Sequence, residues 1–240
     1  MSKHDVDVVA FAAHPDDAEI GCGGTLIKLA EAGRTVVIVD LSAGELATRG
    51  TVATRAAESE AATQILGLHD RENLGLPDGG LEPSPENVRA VVGAIRRWRP
   101  RTLFLPYGRD RHPDHMQASR LVYQAAFTAG LIRYDTGQDA HRPEQLIDYM
   151  GWFDFEPTFI VDITEQFERK MRAIYAYSTQ FRADGSADPQ TRLTSSDTDW
   201  ALRSRMAYYG ARIRARYGEG FLVRGDLAVD DPLVLDFRSF

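Results

Sequence analysis

Short apolar runs alternate with helix-patterned segments through the first half of the chain, and this alternation limits its fold more than any other feature. Residues 35–39 are almost wholly apolar, which is typical of a parallel strand covered on both faces. Similar runs occupy residues 5–12 and 102–105, and a shorter candidate strand lies at residues 71–74. Strands separated by helices favour a parallel sheet with right-handed crossovers.

The segments between these runs carry apolar residues at helical spacing. They predict helices at residues 24–32, 54–66, 85–98 and 114–129. A strand followed by a helix thus occurs four times in succession. This order predicts an α/β protein with a doubly wound, mostly parallel sheet.

The second half of the chain is less regular, and we expect it to complete the sheet and the pocket. Its predicted elements are strands at residues 146–153 and 158–162, a helix from about residue 167, a mobile polar loop at 182–196 and a last helix through 202–213 that ends near 217–220. No linker is evident. We therefore predict one domain over residues 1–240, with a core at 1–134 and a C-terminal part at 145–240.

Composition excludes several classes of protein. The chain has 240 residues, of which 43% are hydrophobic, enough for a sizeable core. Its formal net charge of -7 argues against a nucleic-acid partner, because such partners require a basic face. No apolar run approaches the roughly 18–20 residues that cross a bilayer. The single cysteine, Cys22, excludes an intrachain disulfide framework, and we expect a soluble, cytoplasmic protein with no membrane partner.

Two clusters of histidine and aspartate follow the first and fourth predicted strands. Residues 13–19 read Ala-His-Pro-Asp-Asp-Ala-Glu, and residues 111–115 read Arg-His-Pro-Asp-His. In an open α/β sheet, ligands bind outside the carboxyl ends of the strands. The two clusters have equivalent positions in this respect, and we predict that they meet in one metal site.

The residue types in the clusters indicate distinct roles. Two histidines and one carboxylate are a common ligand set of catalytic zinc, which leaves a position for water. His14 and Asp17 lie three residues apart just past a strand end, and His115 supplies a third ligand. Asp16 then points elsewhere and is a candidate general base for hydrolysis of an amide or ester. The same ligands also suit Fe²⁺, so the residues leave the metal open.

The remaining members of the second cluster, His112 and Asp114, precede His115. In this hypothesis Asp114 keeps His112 protonated, and His112 stabilises an oxyanion or donates a proton to the leaving group. A simpler alternative for the first cluster alone is a turn in which an aspartate caps the following helix. For one cluster the two interpretations are about equally good, and the presence of two clusters favours the metal.

Four arginines fall in or beside loops at the predicted carboxyl ends of the strands: Arg49, Arg55, Arg109 and Arg111. A single surface arginine is usually only solvated. Four of them near the proposed site predict recognition of a small anion, because arginine binds carboxylates through a bidentate fork.

Several other residues have structural interpretations. His4, His69 and His141 lack such acidic clusters and are predicted to be surface or structural residues. The glycines within residues 21–24 have the wrong spacing for a dinucleotide-binding loop and favour close packing of a helix on the sheet. Cys22 is predicted to be a small buried residue rather than a nucleophile.

Together the two clusters resemble the motifs of the LmbE-like (PIG-L) family of zinc-dependent N-acetylglucosamine deacetylases, and the resemblance covers nearly the whole chain. Within that family, one branch acts in the bacillithiol pathway and removes acetate from N-acetylglucosaminyl malate. The further segments that resemble this branch are residues 40–51, 71–74, 176–181 and 217–221.

The resemblance implies a Rossmann-like fold, a zinc cofactor and a homo-oligomer, often a hexamer in this branch. The positions that match the family's functional residues are metal ligands at His14, Asp17 and His115, a general base at Asp16, and an oxyanion-stabilising or proton-donating pair at His112 and Asp114. Arg55 and Arg111 match arginines that line the pocket.

One position departs from the branch, because Ala43 stands where the motif is expected to have an arginine.

We predict a zinc-dependent hydrolase that removes acetate from a small anionic sugar conjugate, N-acetylglucosaminyl malate. The alternatives are deacetylation of another acylated glucosamine, such as a mycothiol precursor, N-acetylglucosamine or an antibiotic aglycone, and a sugar- or nucleotide-binding module without catalysis. The adjacent Asp16 and Asp17 favour an enzyme, because a binding module needs no base.

Overall fold

The strands form one sheet with helices on both faces in the computed structural model, which describes residues 5–182 and 189–235. The strands are β1 (Val6–Ala12), β2 (Val36–Ser42), β3 (Asp70–Leu76), β4 (Pro100–Pro106), β5 (Gln145–Tyr149), β6 (Phe159–Asp162) and β7 (Gly218–Val223). The helices are α1 (Asp17–Glu31), α2 (Val52–Leu66), α3 (Pro85–Trp98), α4 (Pro113–Ala129), α5 (Phe167–Ala176), α6 (Ser178–Phe181) and α7 (Ser196–Arg212). His4 and part of the predicted mobile loop lie outside the described residues.

The order of the strands across the sheet is β3-β2-β1-β4-β5-β7-β6. The first five strands along the chain pair in parallel, and β7 runs antiparallel to both β5 and β6. This confirms the predicted α/β fold with a mostly parallel sheet. Because β1 and β4 are direct neighbours, the two sequence clusters emerge side by side at the carboxyl edge of the sheet.

Helix α1 begins at Asp17, earlier than the start predicted at residue 24. The sequence hides this start because Gly21 and Gly24 weaken the helical pattern, and in the structure these glycines allow close packing. A Cβ added at Gly21 would lie 2.3 Å from the ring of Tyr149, and one added at Gly24 would lie 2.8 Å from Ile163. Only glycine lets the helix approach the sheet this closely. The early start places Asp17 inside the first helical turn.

The prediction that the last helix ends near residues 217–220 is wrong. Helix α7 ends at Arg212, and Gly218–Val223 form a strand between β5 and β6. Two glycines and Glu219 give this stretch no apolar alternation, so its strand pattern is hidden in the sequence. The predicted strand at residues 146–153 is also shorter and ends at Tyr149.

The burial of His141, His69 and Cys22 shows which of them are structural and which lie at the surface. His141 is buried, and its Nε2 lies 2.8 Å from the carbonyl oxygen of Pro100, so it is structural. His69 is exposed, and Cys22 is buried with a free thiol. Over the ranges that the structure describes, none of the helices combines the length and apolar character needed to cross a bilayer.

A buried ion pair joins β7 to the helices on one face of the sheet. Lys170 of α5 donates to Oε1 of Glu219 at 2.5 Å, and both side chains are almost wholly buried. Glu219 also accepts hydrogen bonds from the backbone N–H groups of Gly24 at 2.8 Å and Thr25 at 2.7 Å. The pair therefore anchors α1, whose first turn carries Asp17, against α5 and β7.

Glu219→Ala is expected to destabilise the protein by about 3–5 kcal/mol, because it leaves the Lys170 ammonium group buried without a counter-charge. Urea unfolding followed by circular dichroism measures the change. Glu168→Ala is the matched control, since Glu168 is 76% exposed and its ion pair with Arg203 contributes about 0–1 kcal/mol. Equal losses of stability in the two variants would contradict an anchoring role for the buried pair.

Candidate metal centre and active site

The carboxyl ends of β1 and β4 bring the three predicted metal ligands together. His14 lies in the turn between β1 and α1, Asp17 begins α1, and His115 lies in the first turn of α4. The Asp17 carboxylate stands between the two imidazoles. Its Oδ2 is 3.4 Å from Nδ1 of His14, and its Oδ1 is 3.1 Å from Nε2 of His115.

The second nitrogen of each imidazole faces another carboxylate. Nε2 of His14 lies 3.1 Å from Asp78 and 3.2 Å from Asp114, and Nδ1 of His115 lies 3.3 Å from Asp110. Metal-ligating histidines commonly donate their other N–H to a carboxylate, which fixes the ring and raises its basicity. The donor set therefore fits a divalent cation that takes nitrogen and oxygen ligands, such as zinc.

Sequence reasoning missed Asp78 and Asp110. Asp78 lies in a Pro-Asp-Gly-Gly stretch that reads as a turn, and only the fold brings it across 64 positions to His14. Asp110 accepts hydrogen bonds from the backbone N–H groups of His112 at 2.8 Å and Trp152 at 2.6 Å. Its place two residues before His112 is a usable sequence signal, whereas Asp78 has none.

These carboxylates change the protonation of both imidazoles. Burial lowers the pKa of His115, but Asp17 and Asp110 outweigh it and raise the pKa to about 10. Burial also opposes the charge on His14, whose carboxylate partners nonetheless raise its pKa well above the usual value. A cation that binds these nitrogens must displace their protons, so its affinity is expected to increase with pH.

Asp16 has an unusual backbone conformation beside these ligands. Its φ of 116° lies in the region that favours glycine, a strain that costs about 1–3 kcal/mol. Its side chain makes no capping hydrogen bond to α1, so the helix-cap interpretation is wrong. Oδ2 of Asp16 instead accepts a hydrogen bond from Nη2 of Arg55 at 2.8 Å. Burial, opposed by Arg55 and reinforced by Asp17, raises the pKa of Asp16 to about 7.

The predicted support of His112 by the Asp114 carboxylate is wrong. His112 is the N-cap residue of α4, so its Nδ1 accepts a hydrogen bond from the backbone N–H of Asp114 at 3.3 Å. The Asp114 carboxylate turns instead towards His14 and the N–H of Gly79. Burial and the charges of His115 and His14 lower the pKa of His112. The lowered pKa favours the neutral imidazole, and the hydrogen bond accepted by Nδ1 leaves Nε2 as the ring nitrogen that can donate.

A ring nitrogen of His112 lies within 4.8 Å of ring nitrogens of His14 and His115. The rings of His112 and His115 are stacked, with their centroids 4.8 Å apart. His112 thus faces the same space as the predicted ligands, although no carboxylate of residues 5–182 or 189–235 holds its Nδ1.

Two of the arginines predicted to bind an anion are used inside the protein. Arg49 is buried and donates hydrogen bonds to the carbonyl groups of Thr179 and Arg182 at 2.9 and 3.3 Å. Arg55 is buried and holds Asp16. We therefore correct their assignment as substrate contacts: Arg49 holds a loop, and Arg55 holds the candidate base.

The other two predicted arginines are exposed. Arg109 and Arg111 lie in the loop between β4 and α4, directly before His112. The guanidinium carbon of Arg111 lies 4.1 Å from the centroid of the Trp152 ring. Substrate contact by these two arginines stays a prediction.

A second buried network fixes the first turn of α1. Arg71 donates to the Asp40 carboxylate at 2.7 and 2.8 Å and to Oε1 of Glu19 at 2.5 Å. The hydroxyl of Tyr177 donates to the same oxygen of Glu19 at 2.9 Å. Glu19 thus connects β2, β3 and the start of α6 to the turn that carries Asp17.

Comparison with known proteins places these residues in a family. The model of the PIG-L family, GlcNAc-PI de-N-acetylase, matches residues 9–126, which include both clusters. The diacetylchitobiose deacetylase of Thermococcus kodakarensis is 31% identical over 230 residues, covering 89% of this chain and 81% of that protein. The chain belongs to the PIG-L/LmbE-like deacetylase family.

Two further similarities extend this result. A 1D-myo-inositol 2-acetamido-2-deoxy-alpha-D-glucopyranoside deacetylase of Catenulispora acidiphila is 34% identical over 167 residues, covering 55% of each chain. The crystal structure of a conserved protein from Thermus thermophilus is 37% identical and matches with a TM-score of 0.85, covering 94% of this chain and 98% of that one. The fold of the Thermus thermophilus protein therefore spans most of this chain.

Asp78→Asn is expected to weaken the binding of a divalent cation about 10- to 100-fold, because an amide orients and polarises His14 less well than a carboxylate does. Competition between the metal-free protein and a zinc-binding dye measures the affinity. Asp135→Asn, at an exposed position after α4, is the matched control. If Asp78→Asn binds zinc as tightly as this control, Asp78 has no role in the site.

Proposed function

We propose that this protein is a metal-dependent hydrolase that removes the acetyl group of an N-acetylglucosamine conjugate. One observation carries the proposal: two adjacent carboxylates have different surroundings. Asp17 faces two imidazoles, whereas Asp16 pairs with Arg55. A metal ligand beside a separate base is the equipment that amide hydrolysis requires.

His14, Asp17 and His115 would hold the cation. We propose zinc, which suits imidazole and carboxylate ligands, and Fe²⁺ accepts the same set. When bound, the cation supplies Lewis acidity at the acetamide carbonyl and at the attacking water. The protein's own contribution is position, because the carboxylates behind the two imidazoles fix the orientation of each ring.

Asp16 is the proposed general base. Arg55 anchors its Oδ2, and no residue within the described ranges donates a hydrogen bond to its Oδ1, which is left to accept a proton from the attacking water. The raised pKa of Asp16, about 7, suits proton transfer in both directions near neutral pH. The proton then passes to the amide nitrogen as the C–N bond breaks, and acetate and the free amine leave.

His112 is the proposed stabiliser of the oxyanion. Its Nδ1 accepts the N–H of Asp114, so Nε2 is the ring nitrogen that can donate a hydrogen bond. We propose that this N–H donates a hydrogen bond to the carbonyl oxygen as negative charge develops there. This role needs a neutral imidazole and no change in its protonation.

The substrate that we propose is N-acetylglucosaminyl malate. Its two carboxylates would account for the exposed Arg109 and Arg111 beside the site, and the network around Glu19 is built from segments that resemble the bacillithiol branch. The inositol-linked relative supports a second candidate, an acetylated glucosaminyl inositol.

On the family resemblance we propose a homo-oligomer, a hexamer. From the net charge of -7 and the lack of a long apolar run we propose a cytoplasmic protein without nucleic-acid or membrane partners.

Asp16→Asn is expected to lower kcat about 10²- to 10⁴-fold while the metal content stays unchanged, because an amide cannot accept the proton of water. Acetate release from N-acetylglucosaminyl malate and elemental analysis are the two measurements. Asp139→Asn, at an exposed position, is the matched control. An Asp16→Asn protein that retains the kcat of this control would refute the assignment of the base.

His14→Ala is expected to lose bound metal and acetate release together. Treatment of the wild-type protein with a chelator should abolish acetate release, and added zinc should restore it. A binding module without catalysis would release no acetate in either state. Retention of full metal content by His14→Ala would contradict its role as a ligand.

A further inference from the structure

Three side chains form a cationic cluster beside the proposed metal centre. The guanidinium carbons of Arg111 and Arg192 lie 4.1 and 5.5 Å from the centroid of the Trp152 ring. Arg111 precedes α4, Trp152 follows β5, and Arg192 precedes α7. We call these three residues the Arg–Trp–Arg cluster. No motif in the sequence marks Trp152 or Arg192, because only the fold brings them to Arg111.

The cluster is tied to the site through the carboxylate of Asp110. One oxygen of Asp110 lies 3.3 Å from Nδ1 of His115, and the other accepts the backbone N–H of Trp152 at 2.6 Å. Arg205 fixes the same stretch by donating to the carbonyl groups of Gly151 and Trp152. Trp152 also lines a small cavity together with His115. The indole therefore has a defined position relative to a proposed metal ligand.

The positive charge of the cluster is not neutralised within the described part of the chain. There, neither Arg111 nor Arg192 forms an ion pair, although Arg55, Arg71 and other arginines of the structure do. Asp110 is the nearby acid, but its oxygens serve backbone N–H groups and His115. Burial and the charge of Arg192 lower the pKa of Arg111, and the charge of Asp110 offsets only part of this effect. Two like charges held together without a counter-ion favour binding of an anion.

The buried Arg49 holds the backbone close to Arg192. Nη1 of Arg49 donates to the carbonyl oxygen of Pro189 at 3.4 Å, and its other nitrogens donate to the carbonyl groups of Thr179 and Arg182. These contacts hold the backbone at Arg182 and at Pro189, which lies three residues before Arg192. The arginine that sequence reasoning assigned to the substrate thus acts through another arginine.

We propose that the Arg–Trp–Arg cluster binds an anionic group, a carboxylate or a phosphate, on the part of the substrate that is attached to the amino sugar. Arg192 and Trp152 are then specificity-determining residues of the deacetylase. This inference rests on the proposed function and adds to it two residues, Trp152 and Arg192, that recognise the group beyond the sugar. Guanidinium groups bind both anions through paired N–H donors, so the choice between them is left to experiment.

The test compares acetate release from three N-acetylglucosamine conjugates: the malyl conjugate, the 1-phosphate and the neutral methyl glycoside. Arg192→Ala is expected to raise KM for the preferred anionic conjugate about 10- to 100-fold, the loss typical of a charge-assisted hydrogen bond. Its kcat and its KM for the methyl glycoside should stay within about twofold of wild type. Trp152→Leu should also raise KM for the anionic conjugate, because both guanidinium groups lose the aromatic ring that they contact.

Arg172→Ala, at an exposed position of α5, is the matched control and should leave all three KM values unchanged. Equal effects of Arg192→Ala on anionic and neutral conjugates would overturn the inference, as would a wild-type enzyme without preference for either anion. A preference for the malyl conjugate or for the 1-phosphate identifies the anion.

Calorimetric binding of the same conjugates to the zinc-loaded protein separates this inference from the proposed function. If no conjugate releases acetate, yet the anionic ones bind and Arg192→Ala weakens that binding, the anion site stands and the proposed hydrolysis fails. If acetate is released without any dependence on charge, the hydrolysis stands and the anion site fails.

Discussion

The site depends on the carboxylate of Asp17, which stands between two buried imidazoles. Burial alone would raise the pKa of Asp17, but His115 and His14 hold it well below its usual value. Each imidazole is in turn backed by further carboxylates, so that negative and positive groups alternate through the site. The alternating series is Asp78 with Asp114, His14, Asp17, His115 and Asp110. Such alternation reduces the cost of burying charge and orients the ligands before a cation binds.

The distinction between Asp16 and Asp17 follows from the backbone. A φ of 116° at Asp16 turns its side chain to Arg55 while the next carboxylate faces the imidazoles. The strain is maintained because the surroundings hold both carboxylates. Arg55 donates to Asp16, and the backbone N–H of His14 donates to Asp17 at 2.9 Å. Two residues of the same type thereby acquire different pKa values and different proposed roles.

The half of the chain after residue 134 contributes no proposed ligand, yet it holds the ligands in place. Glu219 and Lys170 anchor one side of α1, and Tyr177 reaches Glu19 in its first turn. The same half supplies Trp152 and Arg192 beside the site. The family model matches residues 9–126, the part of the chain that contains the three proposed ligands and the proposed base.

The sequence by itself determined the alternating α/β order and the meeting of its two clusters, because apolar runs and strand-end positions are local patterns. It also placed His14, Asp17 and His115 together. The tertiary structure alone decided the partners of those residues. Asp78 reaches His14 only through the fold, Asp114 supports His14 rather than His112, and β7 is a strand because its neighbours pair with it. Contacts between distant segments have no periodic signature in sequence, so the arrangement of buried charges emerges only when the chain has folded.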